Sequence, residues 1–138
     1  DASGTAEWRS MAGTLFSGYT TINQVVPFGG QVLISNVQVN TGGYTALPTA
    51  IIAPATGVYK ITYGVASTSS GSMEVSVNGV TATGTTIAVK NSALVSNTVM
   101  LNLNAGDVVS IRNSSFVPLT ISDGAGGTAV SLNIEKLQ

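Results

Sequence analysis

"ATGVYKITYGVAS", residues 55–67, is the stretch that decides the fold class. Tyr59, Ile61, Tyr63 and Val65 fall on one side of an extended chain, and Val58, Lys60, Thr62, Gly64 and Ala66 fall on the other. A period of two belongs to a strand, whereas a helix repeats every ~3.6 residues. The tyrosine set is a core face. The second set is neither greasy nor well charged, so it raises the question of what such a small, nearly neutral face meets.

Working outward, the same grammar recurs along the chain. Turn signals stand at Gly29-Gly30, Gly42-Gly43, Pro54 to Gly57, Ser69 to Ser72, Asn78-Gly79, Gly84, Asn91-Ser92, Ala105-Gly106-Asp107, Asn113 to Ser115 and Asp123 to Gly127. Between them lie short runs rich in Val, Ile and Thr, the pattern of an all-β sandwich or barrel. Ten strands are expected, near 14–20, 31–37, 44–53, 57–68, 72–78, 85–90, 95–103, 107–113, 117–122 and 129–137. "MEVSVNG" ends in Asn78-Gly79, a pair suited to a two-residue hairpin turn in which both positions need positive φ. "NTVMLNLNAGDVVSIRN" sets Val99, Leu101 and Leu103 against Thr98, Met100 and Asn102. In "AVSLNIEKL", Val130, Leu132 and Ile134 alternate with Ala129, Ser131, Asn133 and Glu135. Such two-faced strands belong to antiparallel sheets. "TAEWRSM" is too short to hold a helix alone.

Composition bounds the function. The 138 residues make one domain, large enough for a real core. Only 8% are charged, against about 25% in an average soluble domain. Net charge is −1 and the five basic residues, Arg9, Lys60, Lys90, Arg112 and Lys136, are scattered, which gives no reason to expect nucleic acid or an anionic membrane as partner. The greasiest run, "ALPTAIIAPA", is broken by Pro48 and Pro54 and falls short of a bilayer span. The opening residues have no basic start and no apolar core of a leader, and the chain starts at Asp, as a fragment or processed form would.

With no His and no Cys, histidine triads, cysteine nucleophiles and most zinc or copper sites are excluded. The acids Asp1, Glu7, Glu74, Asp107, Asp123 and Glu135 show no paired arrangement of the glycosidase kind. "SDGAGGTA" at 122–129 lacks the trailing residues of a phosphate loop and reads as a plain connection. Calcium on Asp107 or Asp123 is the single cofactor kept open, and no enzymatic activity is expected. Asn113-Ser114-Ser115 has the form of a glycosylation sequon and is read as a plain turn, and Tyr44, Phe28 and Phe116 are expected to plug the sandwich ends.

The second faces at 58–66 and 98–102 carry one charge between them, Lys60. A solvent-facing strand normally collects charge, which also blocks edge pairing. Small neutral side chains either form a Ser/Thr/Asn-rich surface or let another chain approach without stranding a buried charge.

A resemblance separates these readings. "TGVYKITYGV", "MEVSVNGV", "LNAGDVVSIRN" and "GTAVSLNIEKL", in that order, together with "VVPFGGQVLISNV" at 25–37, resemble the C1q/TNF-like jelly roll, and within it the C-terminal domain of BclA-type collagen-like spore glycoproteins. The likeness spans residues 14–138 and leaves 1–13 as linker or stalk-proximal segment, in which Trp8 has no counterpart. It implies a ten-stranded antiparallel jelly-roll sandwich, a homotrimer capping a collagen-like stalk, and a place on the spore surface (exosporium). The strands at 57–68, 95–103 and 129–137 would then face the three-fold axis. The expected interface is Val58, Lys60, Thr62, Gly64, Ala66, Thr98, Met100, Asn102, Ser131 and Asn133. No Gly-X-Y triplet is present, so the stalk is implied and not seen. A trimeric tip recognising host glycan or protein, as an adhesin or phage fibre would, is the alternative.

Overall fold

The computed structural model describes residues 14–138; Trp8 and the expected linker lie outside the described residues. Thirteen strands form: β1 (Leu15–Thr20), β2 (Gln24–Val26), β3 (Asn36–Thr41), β4 (Thr45–Leu47), β5 (Ala50–Ile52), β6 (Gly57–Ser67), β7 (Gly71–Val77), β8 (Val80–Thr81), β9 (Ile87–Val89), β10 (Ala93–Leu103), β11 (Val108–Asn113), β12 (Leu119–Ile121) and β13 (Val130–Lys136). All pairings are antiparallel.

The all-β antiparallel sandwich is as expected, with a finer division of its strands. The run 44–53 breaks into β4 and β5 around Pro48, which has no N–H to donate to a ladder. Two short strands, β2 and β8, join the expected set, and the strand expected at 31–37 forms later, as β3. Residues 29–32 instead lie along β11: Gly29 N–H donates to Asn113 O, Asn113 N–H to Gly30 O and Val32 N–H to Ile111 O.

The first sheet runs β2-β12-β6-β13-β1-β3, with β10 on the free flank of β6; the second runs β4-β5-β11-β7-β8, with β9 also on β7. Tyr59, Ile61, Tyr63, Val65, Phe16, Leu132 and Ile134 from the first sheet close on Ile51, Met73, Val75, Val109 and Ile111 from the second, all buried. Each such aliphatic or aromatic side chain contributes about 1.5–3 kcal/mol on leaving water. The buried phenols also meet their polar needs. Tyr59 donates to Ala55 O (2.6 Å), Tyr63 to Thr85 O, and Tyr44 shares a hydrogen bond with Thr14 Oγ1 (2.9 Å). Burial raises all three above the ordinary tyrosine value, so they stay neutral.

Both described ends of the chain lie at one end of the sandwich. Lys136 N–H donates to Thr14 O (3.0 Å), and Val58 N–H to Gln138 O (2.9 Å). At the same end the expected hairpin turn forms, with Asn78 at φ 54° and Gly79 at φ 80°. It is clasped to the next tight turn. Asp107 accepts from Asn104 N–H (2.8 Å) and Asn78 Nδ2 (2.9 Å), while Asn78 Oδ1 accepts from Val108 N–H (2.9 Å).

The Asn104 N–H, and after it the Asn78 amide, hold the Asp107 carboxyl below its ordinary value. The stabilisation is present above the unfolded carboxylate value, about 4, and is lost as pH falls through the lowered folded value. The urea midpoint of the protein should therefore drop below about pH 4, and Asp107→Asn should flatten part of that fall. An unchanged acid limb in the variant would remove the clasp from the account.

Candidate functional site: the outer face of the first sheet

All ten residues expected at the interface come together on one surface. The strand register stacks them in rungs: Asn102–Val58, Met100–Lys60–Glu135, Thr98–Thr62–Asn133, Ser96–Gly64–Ser131 and Leu94–Ala66. The rungs extend onto β1, where Leu15 opposes Glu135, Ser17 opposes Asn133 and Tyr19 opposes Ser131. On the far side Val39 of β3 opposes Ser17.

Lys60, the awkward cation of the sequence, has Glu135 directly across from it on β13. An opposed pair of this kind is neutral overall and favourable across strands. The rungs are therefore small, polar and balanced in charge, interrupted by Leu94 and Met100, which are 69% and 64% exposed. Thr62 and Thr98 hydroxyls hydrogen-bond at 3.1 Å. A shallow hollow of about 410 Å³, lined by Ser17, Tyr19, Gln38, Ser131 and Asn133, opens on the same face.

Gly64 and Ala66 differ from the other eight, since both are buried within the single chain. A Cβ on Gly64 would sit 3.1 Å from Ser131 Oγ and 3.7 Å from Leu94 Cδ1 and Ser96 Cβ. They form the floor of the surface, roofed by neighbouring side chains, while Thr98, Met100, Asn102 and Asn133 stand exposed. Glu135, Ser96, Leu94, Ser17 and Tyr19 were missing from the expected set. Glu135 was within reach, because it continues the alternation of Ser131 and Asn133.

The candidate loops hold their polar groups locally. Asp123 Oδ1 accepts Ala125 N–H (2.8 Å), which lowers its carboxyl from the ordinary value. Among the described residues no three His, Cys, Asp or Glu gather as metal ligands would. Asn113 of the sequon is fully buried, its amide donating to Val26 O and Val117 O, both at 2.9 Å. The aromatic plugs divide. Tyr44 is buried, with its ring 6.1 Å from Phe16 and 6.3 Å from Tyr59. Phe28 and Phe116 are not plugs: they are 57% and 90% exposed and rest on each other at 5.2 Å. Their loops overshoot the end of the core, beyond the last buried pair Val26 and Leu119.

The profile of the family described as BclA C-terminal domain matches residues 16–138. The chain belongs to that family. No protein of curated function matches its sequence. Among solved structures it is similar to the globular domain of zebrafish complement 1qA protein, at 15% identity and TM-score 0.66, over 88% of this chain and 94% of that one. It is likewise similar to murine APRIL, at 19% identity and TM-score 0.64, over 91% and 99%. The Eiger TNF of S. frugiperda gives 17% identity and TM-score 0.63, over 92% of each chain. At these identities the likeness fixes the C1q/TNF-like jelly roll of this BclA C-terminal domain and nothing further.

Proposed function

We propose that three copies of this BclA C-terminal domain associate through the outer face of the first sheet, and that the trimer caps and registers a collagen-like stalk on a spore surface. The supporting observation is the run of rungs across β10, β6, β13 and β1, in which Lys60 and Glu135 are opposed and the rest is small, neutral or apolar. Such a face buries against a copy of itself without stranding charge. The described N-terminal end leaves the sandwich beside the C-terminus, so three chain ends would emerge at one end of the trimer, where a stalk needs them. The role is structural. Binding energy between heads offsets the entropy of bringing three weakly associating chains into register, and no catalytic step or cofactor is part of it.

Sedimentation velocity at micromolar concentration tests the proposal. A species of three times 13.9 kDa is expected, and a stable monomer would overturn it.

The alternative of a ligand-recognising tip is favoured by one observation. The exposed Phe28–Phe116 pair lies at the end of the sandwich far from both described chain ends, because β6 runs from Gly57, beside Gln138, up to Ser67, beside Ile121. Both roles fit one trimer.

A further inference from the structure

On the opposite side of the molecule, the outer face of the second sheet carries a polar arrangement that subunit association does not use. Glu74 of β7 and Arg112 of β11 are paired across the strands. Glu74 is 5% exposed, yet its hydrogen bonds all fall on one oxygen. Oε2 accepts from Arg112 Nε (2.8 Å), Arg112 Nη2 (2.5 Å) and Thr81 Oγ1 (2.8 Å). Oε1 accepts from none of the described residues. No buried side-chain oxygen among the described residues goes without a partner, so Oε1 must reach solvent. The open space that Glu74 borders is a cavity of about 330 Å³, lined also by Phe28, Thr81, Arg112, Asn113 and Ser114.

Arg112 brings a complementary vacancy to the same cavity. Of the two hydrogens on Nη1, one goes to Gly79 O (2.9 Å), and the other has no acceptor among the described residues. The cavity is therefore bordered by a carboxylate oxygen and a guanidinium hydrogen that have no partner among the described residues, and by the exposed ring of Phe28, which rests against Phe116 at 5.2 Å.

We propose that this cavity binds a neutral sugar residue. One hydroxyl donates to Glu74 Oε1, a second accepts from Arg112 Nη1, and the C–H face of the ring packs on Phe28. The charges of the pair already balance, so there is no net field to hold a free anion, and one carboxylate oxygen cannot coordinate a metal alone. A polyhydroxyl ligand satisfies both open groups and covers an apolar ring at once, the mixture typical of a small-molecule site. If the chains trimerise through the first sheet, three such cavities face outward, near the end distant from the stalk. The site itself is complete in one chain and stands or falls apart from the trimer.

Amide NMR titration of the intact domain with the methyl glycosides of glucose, galactose, mannose and N-acetylglucosamine tests the site. At least one glycoside should shift Gly29, Thr81, Arg112 and Ser114 at millimolar concentration. Phe28→Ala, at an exposed position, should weaken that binding about tenfold while leaving the remaining spectrum in place. Silence toward all four glycosides, shifts that map elsewhere, or a Phe28→Ala affinity equal to wild type would each overturn the proposal. Inorganic phosphate competing at the same residues would overturn it in favour of an anion site. Sedimentation of the same samples reports separately on the trimer.

Discussion

Replacing Gly64 by arginine should turn the proposed trimer into monomers that still fold. Gly64 has an ordinary strand conformation, so a side chain strains no φ there. Its Cβ would press only on Ser131 Oγ at 3.1 Å, a group that can rotate away, and would meet Leu94 and Ser96 at contact distance. The rest of the arginine would rise between Leu94, Ser96 and Ser131 onto the face, in the rung next to Thr62 and two rungs from the Lys60–Glu135 pair. There is no second carboxylate in these rungs to receive it. An unpaired charge closed into a neutral interface costs several kcal/mol, and about 3 kcal/mol per subunit already weakens association more than a hundredfold. Sedimentation velocity reads the mass, and near-UV dichroism reads the packing of Tyr59 and Tyr63 in the monomer. If the variant fails to fold, Thr98→Arg replaces it, since Thr98 is exposed on the neighbouring strand, where its hydroxyl hydrogen-bonds that of Thr62. Trimers persisting in Thr98→Arg would show that the subunits meet elsewhere.

The second large effect is expected at the Glu74–Arg112 pair. Glu74→Leu removes the acceptor of three hydrogen bonds and leaves the guanidinium, whose side chain is 21% exposed, with Gly79 O and Thr81 Oγ1 alone. Breaking a buried pair from one side costs about 3–5 kcal/mol, and the residual solvent access of Arg112 brings the expected loss below that range, to about 2–3 kcal/mol. The double replacement Glu74→Leu with Arg112→Leu removes both charges together and should recover at least half of that loss. Urea unfolding midpoints measure both. A double variant no more stable than the single one would mean that the pair is not what holds β7 to β11 on this face.

Much of the molecule was legible before its structure. The alternation of Tyr59, Ile61, Tyr63 and Val65 named the core face of β6, and Leu132 and Ile134 did the same for β13; all six are buried. Asn78-Gly79 specified its own turn, because both residues tolerate positive φ at little cost. The ten expected interface residues share one face because alternation is a property of each strand alone. What failed was whatever depended on distance along the chain. Phe28 and Phe116 looked like plugs, yet only the pairing of β2 with β12 decides that their loops run past the core. Glu74 and Arg112 stand 38 positions apart, with three strands between their own, so no local pattern joins them.

The sequence by itself determined which side of each strand is dry, where the tight turns fall, and that the surface has almost no charge. These follow from the two-residue period and from the φ demands of Asn and Gly, both local. Only the tertiary structure decided which strands lie side by side: β6 between β10 and β13, β13 beside β1, β7 beside β11. The physical reason is that a jelly roll closes its sheets through contacts distant in sequence. That pairing set Glu135 against Lys60 and made one neutral face from four strands, while across the sandwich it brought Glu74 and Arg112 together at a cavity that Phe28 also lines.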